Sequence, residues 1–465
     1  MRILRIVRWL PEGALLCAFL FFALRDIGSF PAAWADDSLF MLVARMIAEG
    51  RGYVLPILGY DWPHPYILAV GPTLIYPVAL FIKLFGFSVA AARMPMTLFL
   101  FATIVTSYLI VRRIFDRTAA RWNAAFLISF SAFINTGKPV LGEVPGVFFL
   151  LLGLFLMAKG PRSAWSACAA GAAFGLAVVT KLPCGLIFPA LAAAWIVALV
   201  RRDTEERKYL TIAGTAALAV CAAGAYWLGA LDPGFFREIW LFLFEKSAVA
   251  VSFESIYSRP IELLRLPYGH YVLMSILGAI GWWQSRRTLG RSERIILAMT
   301  AVLYALYFLN GPGWYRALLP STLLLFLFVP AAARTLPGKR MGSALLLCVI
   351  LLQGIWQFRH RGASASPEAL IAAGVLEERW KNTPMVIAQA EVFVRLSSDA
   401  RWLYFSDEMR DSRRQPSAIQ RKIEETRCLP ILRRVSRKDS DTPKPGTRRV
   451  SGRYFLFDPP ADCRP

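Results

Sequence analysis

Negative charge is what this chain has least of: 31 Asp and Glu stand against 53 Lys and Arg in 465 residues, leaving a formal net charge of +22. So basic a chain invites a nucleic-acid reading. No soluble segment carries a basic stripe interleaved with aromatics, and that absence argues against nucleic acid as a partner. No tandem repeat of fixed period is visible either, which argues against a solenoid or array. The arginine-bearing start, Met1 to Trp9, precedes an apolar run in the manner of a signal peptide. It lacks a convincing small-residue cleavage site, so the run is expected to stay as a first span.

In place of charge the chain has hydrophobic length. Its residues are 56% hydrophobic with a mean hydropathy of +0.48, far above the soluble average. Most of this falls in runs of about 17–22 residues, enough to cross about 30 Å of hydrocarbon. Lipid cannot satisfy backbone polar groups, so these runs must be helices. The basic residues cluster in the short loops between runs, the positive-inside pattern.

Strict alternation from a cytoplasmic N-terminus predicts about eleven spans. The first covers roughly Glu12 to Ser29, the second Val89 to Val111, the third Ala124 to Ile134, and two more flank Lys181. The seventh covers roughly Leu210 to Leu228, the eighth Tyr268 to Trp283 and the eleventh Ser343 to Trp356. Arg112, Arg113, Arg117 and Arg121 fall inside on this scheme, as do Arg286, Arg287, Arg291 and Arg294, and Arg334, Lys339 and Arg340. The predicted fold class is an all-α polytopic membrane protein with a small C-terminal α/β soluble domain. Residues 1–357 form the membrane domain and 358–465 the soluble one.

Within the membrane domain, residues 31–88 form a long first outer segment. Ser38 to Gly50 reads as an amphipathic surface helix with Ser38 as its N-cap and Gly50 as its terminator. Tyr66 to Phe85, with Gly71, Pro72 and Pro77, reads as a juxtamembrane or re-entrant helix. In the tail a helix is expected at Pro367 to Trp380 and strands at Met385 to Ala390, Trp402 to Phe405 and Tyr454 to Phe457. A flexible basic insertion, Arg433 to Arg449, precedes the last strand. Cys17, Cys168, Cys184, Cys221 and Cys348 lie in or beside apolar runs and read as small core residues. Cys428 and Cys463 lie in the tail, where an oxidising periplasm permits a disulfide and two free thiols remain the alternative.

With acids so scarce, those at predicted outer boundaries stand out. Asp36 and Asp37 follow the first span, and Glu143, with Lys138 nearby, sits where another span begins. An acidic helix cap and a solvated boundary are the plain readings of these. Lys181, in Thr180-Lys181-Leu182-Pro183, and Arg316, in Gly313-Trp314-Tyr315-Arg316, complete the outer set. Singly, a snorkelling lysine and an arginine on lipid headgroups explain them as well as function does. Together, carboxylates and cations on one membrane face suit transfer from a phosphate-linked lipid. A carboxylate deprotonates the acceptor hydroxyl and cations hold the leaving phosphate. Asp36 and Glu143 also suit a divalent cation doing the same work, and spacing does not choose between the two.

The order of short motifs resembles membrane glycosyltransferases of the GT-C fold, specifically the protein O-mannosyltransferase and lipid A aminoarabinose-transferase group. The motifs are Asp36-Asp37, then Ala44 to Gly50, Gly71-Pro72-Thr73-Leu74-Ile75-Tyr76-Pro77, Leu84-Phe85-Gly86, Arg93 and Arg112-Arg113. Glu143-Val144-Pro145, Gly175-Leu176-Ala177 and Thr180-Lys181 continue the order. The family usually has Asp-Glu where this chain has Asp36-Asp37, so Asp36 matches the family's base and the second position departs from it. The resemblance implies an inverting transfer of a sugar from a polyprenyl phosphate to an envelope glycan, lipid or protein, at the periplasmic face of a bacterial inner membrane. Lys181 and Arg316 would bind the donor phosphate, and His64, Lys138 and Arg93 are candidates for substrate contact. A divalent cation is the one cofactor left open. The rivals are a non-catalytic scaffold or lipid-carrier binding protein of the same fold, and a transporter or flippase. The last would place ionisable residues near mid-membrane and show repeated halves.

Overall fold

The computed structural model describes residues 2–65, 70–159, 163–228, 269–310, 315–335, 339–359, 368–397, 401–406, 417–435, 446–459 and 463. In chain order the elements begin with α1 (Arg2–Leu24), α2 (Ala35–Ala48), β1 (Val54–Ile57), β2 (Tyr60–Pro63), α3 (Pro72–Phe85) and α4 (Val89–Ile114). Then come α5 (Arg117–Ser129), α6 (Ser131–Gly137), α7 (Glu143–Lys159), α8 (Ala164–Thr180), a 3-10 turn (Leu182–Leu186), α9 (Ile187–Val200) and α10 (Thr204–Trp227). The helical region continues with α11 (Gly269–Gln284), α12 (Arg291–Asn310), α13 (Tyr315–Phe326), α14 (Val329–Thr335) and α15 (Lys339–Arg359).

Among the described residues each expected span contains helix, although α1 ends at Leu24 rather than Ser29. Among the described residues, five helices are long and apolar enough by themselves to cross a bilayer: Val89–Ile114, Leu182–Val200, Thr204–Trp227, Arg291–Leu309 and Arg340–Arg359. Large apolar side chains on them face outward, Leu352 being 68% and Leu218 58% exposed, which in water would be untenable and in lipid is required. The chain is a multi-pass membrane protein.

Polar caps punctuate the spans. Asp116 accepts from the Ala119 N–H at the start of α5, Asp203 caps α10, and Ser163 with Ser166 forms a capping box on α8. The third span therefore differs from expectation. Helix α5 starts earlier than Ala124, at the Asp116 cap, and the chain breaks at Phe130 before restarting as α6.

By contacts the chain separates into two compact units. The first comprises Met1–Arg25, Ala69–Leu74 and Met96–His360. Its helices pack through small residues: Ala167, Ala170 and Ala177 of α8 and Ala213 and Ala217 of α10 are all buried in one core. Glu12 of α1 accepts from Tyr108, Arg117 and Arg121. Beyond the other end of α1, Arg25 donates to the Phe358 carbonyl of α15 and Lys138 donates to the Arg25 carbonyl. Thus α1 and α15 finish at the same end while the arginines after α4 gather toward the other, as alternation requires.

The second unit comprises Asp26–Leu68, Ile75–Pro95 and Arg361–Pro465. It gathers most of the first outer segment together with the tail. The expected cap at Ser38 is replaced by an earlier start: α2 begins at Ala35 after Trp34, and Ser38 is buried inside it. Nor does α2 lie on a surface, because Phe40 to Met46 are all buried. It packs against β1 and the short α17 (Ala390–Phe393) of the tail. Gly50 does end it, with φ +81°. Leu58 and Gly59, both with positive φ, make the tight turn of the β1–β2 hairpin, and the Leu58 N–H donates to Tyr404 of the tail.

The tail has α16 (Glu368–Arg379) and then β3 (Met385–Ile387), followed after α17 by β4 (Trp402–Tyr404) and α18 (Ser417–Thr426). Strands β5 (Ile431–Arg434), β6 (Thr447–Ser451) and β7 (Tyr454–Phe457) complete a mixed sheet of order β4-β3-β5-β7-β6. The basic stretch Arg433 to Arg449 is thus strand at both ends rather than wholly an insertion, Arg433 and Arg434 lying on β5 and Arg448 and Arg449 on edge strand β6. Cys428 and Cys463 are joined by a disulfide. Several expectations fall outside the described residues: Tyr66 to Ala69, Tyr268, Gly313 and Trp314, and the middle of the basic stretch.

Candidate active site

In the first unit the site is assembled by two chain turns. Glu143 opens α7, where the helix N-terminus favours a carboxylate. Lys181 follows α8 in extended conformation and forms an antiparallel bridge with Val70. The next residues dock on the same strand edge. The Gly71 N–H donates to the Thr180 carbonyl at 3.3 Å, and the hydroxyls of Thr73 and Thr180 meet at 2.6 Å. Only glycine permits this approach, since a Cβ on Gly71 would stand 1.9 Å from the Val179 carbonyl oxygen. Gly142 makes the corresponding room on the α7 side, where a Cβ would sit 2.8 Å from Lys181 Cδ.

The result is one carboxylate facing two cations. Lys181 Nζ lies 3.5 Å and Arg316 Nε 3.8 Å from the same oxygen, Glu143 Oε1. All three side chains are between 10% and 15% exposed. These separations are ion-pair distances, longer than good hydrogen bonds. Glu143 Oε2 is buried and has no hydrogen-bond partner. An acid shared by two cations brings an ammonium and a guanidinium group together in a largely apolar unit, an arrangement that suits an anion. Behind Lys181, the Tyr304 hydroxyl donates to Cys184 Sγ at 3.2 Å.

In the second unit, Asp36 and Asp37 occupy the first turn of α2. Successive residues of a helix point about 100° apart, so the two carboxylates meet different surroundings. Asp37 is fully buried and paired with Arg93, itself fully buried. Asp36 is half-buried.

A model of the dolichyl-phosphate-mannose-protein mannosyltransferase family matches residues 64–227. Over 98% of both chains the structure aligns with ArnT from Cupriavidus metallidurans bound to undecaprenyl phosphate, with a TM-score of 0.66 and 12% identity. It also aligns with the oligosaccharyltransferase AglB of Archaeoglobus fulgidus in complex with an inhibitory peptide and a dolichol-phosphate. That alignment has a TM-score of 0.59 and 12% identity, over 92% of this chain and 69% of that one. This is the GT-C glycosyltransferase fold. A search of curated protein sequences found no match.

On the GT-C frame the remaining candidates are used internally. Arg93 donates to Asp37 and to the carbonyls of Ile27 and Pro31, at 3.0 and 2.8 Å for the last two. It has no exposed surface with which to touch a substrate. Lys138 is 3% exposed, its ammonium on the Arg25 carbonyl at 2.8 Å. Arg93 and Lys138 share one feature: each cation satisfies backbone carbonyls that the adjoining turns leave open. His64 ends the hairpin, stacked on Tyr53 with centroids 5.6 Å apart, and burial lowers its pKa.

The tail supplies residues that no sequence motif marked. Arg45 of α2 donates to the Leu396 carbonyl at 3.1 Å, fastening the loop after α17. Arg395, on that loop, is pulled below its ordinary pKa by burial and by the charge of Arg93, with Asp37 opposing. Glu391 accepts from the Tyr454 hydroxyl at 3.2 Å. Nothing in an arginine-rich tail distinguishes Arg395 locally. Among the described residues no group of three or more His, Cys, Asp and Glu is placed to hold a metal. Glu143 already faces two cations.

Proposed function

We propose that this protein is an inverting glycosyltransferase that moves a sugar from a polyprenyl phosphate to a hydroxyl of an envelope glycan, lipid or protein. The observation that carries the reading is the gathering of Lys181 and Arg316 on the single carboxylate of Glu143, set in a GT-C fold. Support also comes from ArnT and AglB, whose structures hold undecaprenyl phosphate and dolichol-phosphate.

In the reaction, the Asp36 carboxylate takes the proton of the acceptor hydroxyl as its oxygen bonds to the anomeric carbon. The bond from that carbon to the phosphate oxygen breaks, and its electron pair leaves with the polyprenyl phosphate. Attack opposite the leaving group inverts the configuration. Lys181 and Arg316 stabilise the charge that grows on the phosphate, and Glu143 holds the two cations in place. Asp37, engaged by Arg93, fixes the turn that presents Asp36. No step is routed through a divalent cation. The basic loops support an N-terminus on the cytoplasmic side of a bacterial inner membrane and a periplasmic reaction.

The test is a transfer assay on the purified protein in lipid, with a panel of polyprenyl-phosphate sugars and native membrane extract as acceptor. Wild type should transfer one sugar, and Asp36→Asn should lose about a thousandfold in turnover without change in Tm. Turnover retained in Asp36→Asn would remove the base from this scheme. No transfer from any donor by folded wild type would favour a scaffold or lipid-carrier binding protein.

A further inference from the structure

An apolar groove on the first unit is not used by the proposed reaction. Leu15, Ala18 and Phe22 of α1, Ala125, Ile128 and Ser129 of α5, and Ile350, Leu351, Gly354, Ile355, Phe358 and Arg359 of α15 line an open groove of about 610 Å³. The groove exists because three small residues line it, Ala18, Ala125 and Gly354. A Cβ on Gly354 would meet nothing within 4 Å. Among the described residues no side chain fills this space.

Two features define an occupant. Leu15 to Leu24 and Ile350 to Arg359 each rise about 14 Å at about 1.5 Å per residue. That is close to half of a hydrocarbon core about 30 Å thick, the depth of one leaflet. The second feature is charge. Arg359 lines the groove at the α15 terminus, and Arg25 stands beside it, donating to the Phe358 carbonyl at 3.2 Å and lying 4.6 Å over the Phe358 ring. A cavity of one leaflet's depth, apolar along its length and bounded at its end by two arginines, complements an acyl chain below an anionic headgroup.

We infer that this groove is a binding site for an anionic diacyl phospholipid of the leaflet to which α1 and α15 descend. One acyl chain lies against Ala18, Ala125 and Gly354, and the phosphodiester faces Arg25 and Arg359. The lipid completes the seam between α1 and α15, which the described residues leave open.

Native mass spectrometry of the full-length protein, released from bilayers of equal phosphatidylglycerol and phosphatidylcholine, tests this. Wild type should retain one phosphatidylglycerol in preference to phosphatidylcholine. Arg359→Gln, at an exposed position where folding is not at stake, should cut that preference about fivefold, the equivalent of about 1 kcal/mol per basic residue. Gly354→Phe fills the groove and should abolish retention of either lipid, with Gly354→Leu as a smaller filler should the larger ring unfold the chain. Equal retention of the two lipids by wild type would overturn the inference, as would full retention in a folded Gly354 variant. Displacement of phosphatidylglycerol by undecaprenyl phosphate, with donor binding lost in Gly354→Phe, would reassign the groove to the donor. Loss of transfer activity in Asp36→Asn bears on none of these outcomes.

Discussion

The two units each hold a carboxylate beside guanidinium or ammonium groups, and they use the arrangement in opposite ways. In the second unit Asp37 and Arg93 are both fully buried, and Arg93 spends further donors on two carbonyls. In the first, Glu143 meets Lys181 and Arg316 at 3.5 and 3.8 Å, one oxygen stays unpartnered, and some surface remains open. A fully enclosed pair has no surface to offer a ligand. A loose set of two cations around one acid does. By this contrast Arg93, a candidate for substrate contact in the sequence, serves the packing of its own unit in this structure.

The sharpest way to break the comparison is to remove one partner of the closed pair. Asp37→Asn leaves a guanidinium buried without its counter-ion, and a cost of about 3–5 kcal/mol is expected. Chemical denaturation of the purified protein would read it as a lowered midpoint. The double variant Asp37→Leu with Arg93→Met should regain part of that loss, because it removes the stranded charge as well. A cost for Asp37→Asn below about 1 kcal/mol would place this pair with surface ion pairs and dissolve the contrast.

The open set should respond the other way. Lys181→Met or Arg316→Met deletes a cation while leaving Glu143 the other one, so the denaturation midpoint should hardly move. Turnover with a polyprenyl-phosphate sugar should fall about a hundredfold for each, in line with removal of one donor to a leaving anion. Loss of stability without loss of turnover per folded molecule would make this set structural too.

How far the sequence shows these arrangements depends on which constraint shapes each part. Lipid forces every crossing to be a helix, so the apolar runs and their basic loops are legible in the sequence, although helix bounds such as the Asp116 start of α5 are not. The docking of Gly71-Pro72-Thr73 on Thr180-Lys181 is visible only as two motifs in fixed order; their contact is a tertiary fact between segments 107 residues apart. In the second unit local rules mislead. Ser38 looks like a cap before an apolar stripe, yet burial of that stripe against β1 and the tail draws Asp36 and Asp37 into the helix. Strands β5 and β6 carry arginines on a mixed sheet and so lack the continuous apolar run that marks Tyr454 to Phe457. The β1–β2 hairpin did leave a signal, Gly59 between two short apolar runs, but Leu58 beside it is an unusual residue for a positive φ.

The smallest expected effect concerns His64, whose ring is held against Tyr53 in the second unit. Burial lowers its pKa from 6.5, so the folded state favours the neutral imidazole. Above pH 6.5 folded and unfolded chains both carry it neutral, and its contribution to stability is fully present. As pH falls below 6.5 the unfolded chain takes up the proton first, and that contribution is lost progressively through the lower folded pKa. His64→Asn suits the test because asparagine tolerates the φ of +44° found there. Its Tm should be lower than wild type throughout, through loss of the ring stack, but should decline less between pH 6.5 and 5. Parallel Tm curves for the two proteins over that range would show that His64 is protonated alike in both states, and that the hairpin end is more open to water than its stacking implies.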